Sequence, residues 1–139
     1  MKKSILVLAV FLISLSTQAQ SIFGQWTTVD DETGAKKSIV EIYKKDGKVF
    51  GKIVKIFDPA KQKNLCKKCK GEDYNKPILG LHLIKDMTKD GKYYKNGSIV
   101  DPQNGKVYDL RLAVTDEDKL QVRGYIGFLY STQYWERVQ

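Results

Sequence analysis

Cys66 and Cys69 are the only cysteines of the chain, and the spacing Cys66-Lys67-Lys68-Cys69 admits three chemistries. Two thiolates would supply half of a tetrahedral zinc set, but the single histidine, His82, stands well apart in sequence. A redox pair needs a helix start or an equivalent positive potential to lower one thiol's pKa, and here only neighbouring lysines stand in for it. In an oxidising compartment the simplest product is a structural disulfide, which is the preferred reading. Other reactive constellations are thin. With one histidine there is no His cluster, and no base lies beside a nucleophile in a recognisable motif. Asp30-Asp31-Glu32 reads as a solvated turn, and Glu41, set between Val40 and Ile42, is the first charge to ask about if it faces inward. No catalytic residue, metal or cofactor is expected.

The aromatic residues are the better lead. Tyr43, Phe50, Tyr108, Tyr125, Tyr130 and Tyr134 fall in extended, β-prone runs, as does Trp135. Those that face inward would line an apolar cavity carrying a few hydroxyl groups, the usual character of a small-ligand site. The first six are the candidate lining. The alternative is that they fill the core, since an eight-stranded barrel can be packed solid.

What must position these residues is legible in the turns. Two-residue hairpin signals stand at Asp46-Gly47, Asp90-Gly91, Asn96-Gly97 and Asn104-Gly105, each tolerant of the positive φ that a type I′ turn demands. Looser turns are marked by Glu32-Thr33-Gly34 and Asp116-Glu117-Asp118. The runs between them predict strands over 22–30, 37–44, 48–57, 79–87, a short piece near 98–100, 106–114, 119–126 and 129–138. Tyr108, Leu110, Leu112 and Val114 share one face against Asp109 and Arg111; Leu120 and Val122 alternate with Lys119, Gln121 and Arg123. The run 48–57 places Phe50, Val54 and Ile56 with Lys52, opposite Ile53 and Phe57, so its inward side is unassigned. No sustained helical spacing appears after the first twenty residues. The expectation is an all-β, antiparallel, up-and-down barrel of about eight strands, with an open sandwich as the alternative. The irregular piece 58–78 holds both cysteines with Lys61, Lys63, Lys67, Lys68 and Lys70, and is a rim element or a solvated loop.

The chain starts with a basic Met1-Lys2-Lys3, an apolar run from Ile5 to Leu15 broken by Ser14, and the small residues Ser16-Thr17-Gln18-Ala19. That is the layout of a secretory signal peptide over 1–19, leaving one barrel domain over 20–139. The apolar run falls short of the roughly 20 residues that a membrane helix needs, so no membrane span is expected in the mature protein. The formal charge of +8 falls to +6 without Lys2 and Lys3, and it is dispersed along the chain. Such a surplus favours solubility and loose attraction to anionic surfaces. With no aromatic–basic recognition motif, nucleic acid is not an expected partner.

Gly24-Gln25-Trp26 near the start, with a late arginine, resembles the lipocalin and calycin barrels. There a first-strand Trp closes one barrel end beneath a last-strand Arg. By alternation Arg137 shares a face with Trp135 and is the first candidate for that role; Arg123 is the second. A closer resemblance covers almost the whole mature chain. It runs through Gly24-Gln25-Trp26, Lys37-Ser38-Ile39-Val40, Asp46 to Val54 and Cys66-Lys67-Lys68-Cys69, then Ile99 to Tyr108 and Leu120 to Gly127. In these pieces the sequence is similar to the exported bacterial family known as domain of unknown function 2147. The resemblance implies a periplasmic or secreted lipocalin-like barrel and carries over no catalytic residues. Taken with the aromatics, it leads to the expectation of a non-catalytic barrel that holds a small apolar or amphipathic molecule. The alternatives are an envelope interaction protein with a filled barrel and a basic partner-binding loop, or a thiol-redox or hydrolytic enzyme.

Overall fold

Period-two alternation yields the expected closed all-β fold, although several turn signals fall elsewhere than the dipeptides suggest. In a computed structural model describing residues 20–139, eight antiparallel strands follow one another around a closed barrel. They are β1 (Gly24–Val29), β2 (Lys36–Lys45), β3 (Lys48–Ile56), β4 (His82–Asp90), β5 (Tyr93–Val100), β6 (Val107–Val114), β7 (Lys119–Ile126) and β8 (Leu129–Arg137). Each pairs with the next, and β8 returns to β1. Two single-turn 3₁₀ segments, Pro59–Lys61 and Gly71–Asp73, interrupt the long β3–β4 connection. Among the described residues no helix is long and apolar enough to cross a membrane. The signal peptide expected over 1–19 lies outside the described residues.

The turns do not all behave as the dipeptides suggest. Asp46-Gly47 is a two-residue hairpin with both φ angles positive, 52° and 78°, as type I′ requires. Between β4 and β5 the two loop residues are Gly91-Lys92, one place later than Asp90-Gly91, because Asp90 still pairs with Tyr93. Asn96-Gly97 is not a turn. It lies inside β5, which is a full strand over Tyr93–Val100 rather than a short piece near 98–100. Asn96 has φ 68°, and Lys95 and Asn96 together oppose Arg111 of β6, a β-bulge. A bulge uses the positive φ that Asn accepts as readily as a turn does. Gly97 is then obligatory, since a methyl there would overlap the Lys85 carbonyl of β4.

A second bulge settles the ambiguous run in β3. Val40 faces Ile53 while Ile39 faces Lys55, so Val54 is the extra residue. Val49, Gly51 and Ile53 point inward before it, and Ile56 points inward after it. Strict alternation across a bulge mixes the two faces, which is why no inward side could be assigned.

The interior has two different halves. Trp26, Val40, Ile42, Met87, Leu112 and Leu120 are essentially inaccessible and fill one half with side chains. The other half stays open, toward the ends of β1, β3, β5 and β7.

Candidate functional site: the open half of the barrel

A cavity of about 1220 Å³ occupies the open half. Its deep wall is aliphatic: Ile53 and Ile56 of β3, Leu83 of β4, Ile99 of β5 and Val122 of β7, with the buried Trp135 of β8. The residues that fill the closed half do not line it. Walls of this kind favour an apolar guest through the hydrophobic effect and offer little to hold a polar one.

The rim is polar and lopsided. Lys36, Lys37, Lys61, Lys67 and Lys68 line the mouth together with Asp30, Asp31, Asp58 and Asp101. The carboxylates are already engaged. Asp30 accepts from the Glu32 and Thr33 amides at 2.9 Å, and those backbone bonds hold its pKa below the ordinary value. Asp58 accepts from the Ala60 amide, Asp101 from the Gln103 amide, and Asp31 from the Gln133 side chain at 2.8 Å. Among the described residues, none of the five lysines forms an ion pair within 4.0 Å.

Part of the rim is the β3–β4 connection, which is tied down at several points. A disulfide joins Cys66 and Cys69, and both half-cystines are buried. The Cys66 amide donates to the Lys76 carbonyl at 2.7 Å and the Asn75 amide to the Cys66 carbonyl at 2.9 Å. The Lys67–Cys69 turn seats on the β5–β6 turn. A methyl at Gly105, where φ is 74°, would overlap the Lys68 carbonyl. On the outside Lys85 of β4 donates to Asp73 at 2.7 Å and to Glu72 at 2.9 Å. Burial pulls the Lys85 pKa down, but the bonds to both carboxylates outweigh it and leave the pKa raised.

The six candidate aromatics do not converge. Tyr108 lies on the inward side of β6 and lines the cavity. Tyr130 lines its outer edge, with the Arg123 guanidinium 4.5 Å from its ring centroid. Tyr125 pairs with Tyr130 across β7 and β8, and Tyr134 accepts from Gln121; neither lines the cavity. Tyr43 and Phe50 stack at 6.0 Å on the outer face of β2 and β3. With His82 they border a separate outer groove. Tyr43 has its pKa raised by burial and by nearby Glu41. The aliphatic wall and Trp135 stand where Tyr43, Phe50, Tyr125 and Tyr134 were expected, beside Tyr108 and Tyr130, which do line the cavity. Their positions carried the signal: Tyr125 is out of phase with Leu120, Val122 and Gly124, which face in.

At the closed end the Arg137 guanidinium stacks 4.3 Å from the Trp26 ring centroid. Its Nε donates to Asp118 at 2.9 Å, Nη1 to the Phe23 carbonyl and Nη2 to the Ser21 carbonyl at 2.6 Å. The Trp26 indole N–H donates to the Ile22 carbonyl at 2.9 Å. Arg123 is on the outside, bonded to Thr132 and stacked on Tyr130. Among the described residues no group of three or more His, Cys, Asp or Glu could hold a metal ion.

The sequence profile of a family described as "Uncharacterized protein conserved in bacteria (DUF2147)" matches residues 24–137, the whole barrel. The chain belongs to this family. A solved structure of similar fold is protein HP1028 from the human pathogen Helicobacter pylori, described as belonging to the lipocalin family. It superposes with a TM-score of 0.74 at 22% identity, covering 86% of this chain and 84% of that one. At that identity the likeness speaks for the fold alone: this DUF2147 protein is a lipocalin-like barrel. A comparison with curated proteins finds no match.

Proposed function

We propose that this DUF2147 protein is an exported, non-catalytic binder of a small apolar or amphipathic molecule, held in the open half of the barrel. The observation that carries the reading is the cavity of about 1220 Å³ with an aliphatic wall that ends at a charged rim. Cavities of roughly 300–1,000 Å³ are the usual home of small ligands, and this one adds an open mouth to such a volume. Burying apolar ligand surface there gains about 25 cal/mol per Å² before the cost of ordering is subtracted. The start of the chain and the disulfide support a periplasmic or secreted address. The buried position of Cys66 and Cys69 favours a structural bond over a redox pair.

Native mass spectrometry of protein purified from its own host tests this directly, by looking for a co-purified small molecule. Displacement of a fluorescent fatty-acid probe then locates it. Val122→Trp places an indole in the cavity and is expected to weaken the probe about tenfold or more, whereas Tyr43→Ala, outside it, leaves the affinity unchanged. No co-purified molecule together with no probe binding would remove the proposal.

A further inference from the structure

The β7–β8 hairpin turns through Gly127-Phe128, and its tip is apolar where hairpin tips are ordinarily polar. Phe128 is 90% exposed, Leu129 65%, Tyr130 61% and Ile126 54%. Nothing in the fold explains this cost. Ile126, Leu129 and Tyr130 also border the cavity mouth, so the tip stands on the same end of the barrel as Lys36, Lys37, Lys61, Lys67 and Lys68.

We infer that this end of the barrel docks on an anionic lipid surface, with the Ile126–Tyr130 tip entering the headgroup layer and the rim lysines facing the lipid phosphates. Three features favour lipid over a protein partner. The apolar residues sit on a narrow tip whose Phe128 is almost bare, a shape suited to insertion into a soft layer. Five lysines against four aspartates line the mouth, and among the described residues none of those lysines lies within 4.0 Å of a carboxylate, which leaves their ammonium groups free to meet lipid phosphates. The cavity opens between these groups, so a docked barrel presents its mouth to the layer in which apolar molecules dissolve. This last point rests on the proposed function; the first two do not.

The test is co-sedimentation of the exported form, its N-terminus checked by mass spectrometry, with vesicles of phosphatidylglycerol and phosphatidylcholine in equal parts, and with phosphatidylcholine alone. Binding is expected to the anionic vesicles, weakening as salt rises. Phe128→Ser combined with Leu129→Ser is expected to lower the partition coefficient about tenfold or more, since each substitution removes apolar area from the inserted tip. Both sites are exposed, so the far-UV circular dichroism of the variant stays that of the parent. Absence of the parent protein from anionic vesicles, or equal partition of parent and variant, overturns the inference. Fatty-acid probe binding is measured separately in vesicle-free buffer. Vesicle binding that depends on Phe128 upholds docking even where no probe binds and no molecule co-purifies, an outcome that removes only the cargo reading.

Discussion

Replacing Arg137 by Ala should open the closed end of the barrel and cost about 3 kcal/mol of stability. The estimate follows from what the guanidinium touches. Stacking on Trp26 at 4.3 Å contributes about 1 kcal/mol in a partly desolvated site. The bonds to the Ser21 and Phe23 carbonyls come from a charged donor; with the Arg137 side chain 23% exposed, they are discounted to somewhat under 1 kcal/mol each. The Asp118 ion pair, similarly exposed, adds about 0.5 kcal/mol. Urea unfolding followed by circular dichroism reads this as a midpoint lowered by about 2 M, for a slope near 1.5 kcal/mol/M. Two companions separate the contributions. Arg137→Lys keeps the charge but loses the planar fork, and should cost at least half as much as Ala. Asp118→Asn removes only the ion pair and should cost under about 1 kcal/mol. If Arg137→Ala costs no more than Asp118→Asn, the stacking and carbonyl bonds contribute nothing, and the reasoning about the closed end is wrong.

The outer groove makes a pH prediction. Burial and the nearby Lys52, Lys85 and Lys76 hold the His82 pKa below 6.5, outweighing an opposing pull from Asp73. The folded state therefore binds this proton less readily than the unfolded chain, and the contribution present above pH 6.5 is lost as pH falls through the folded pKa. Unfolding midpoints measured from pH 7.5 downward should decline less steeply for His82→Gln than for the parent. Replacing both Cys66 and Cys69 by Ala should cost about 2 kcal/mol and loosen the rim, read as faster amide exchange at Asn75 and Cys66 relative to the closed-end strands. Gly105→Ala, at a positive φ and against Lys68, should destabilise by about 1–3 kcal/mol in thermal melts.

Architecture was legible from sequence because alternation and turn chemistry agreed along most of the chain. Leu110 and Leu112, or Leu120 and Val122, announce their inward side unaided. The places that resisted are bulges. Val54 shifts the phase of β3, and Asn96-Gly97 mimics a hairpin because the backbone angle is common to both devices. The site was less readable for a different reason. Phase assigns a residue to a face, but it does not say whether the inward volumes fill the cylinder. That only half is filled depends on how Trp26, Met87 and Leu112 come into one buried cluster from strands distant in sequence. Lys61, Lys67 and Lys68 could be counted, but not that they lie at the cavity mouth beyond 4.0 Å of any described carboxylate, because that depends on how the β3–β4 connection folds back over the barrel.

The seam between the first and last strands is short. Trp26 opposes Arg137 and Thr27 opposes Glu136, and one further amide bond runs from Val138 to Gln25. Toward the mouth the two edges are linked by the Gln133–Asp31 side-chain bond instead of a backbone ladder. The wall is thus a collar fastened at its base and only lightly buttoned above. Backbone pairing therefore closes the ring only near its floor, so the proposed guest would lie beside a stretch of wall that no ladder spans.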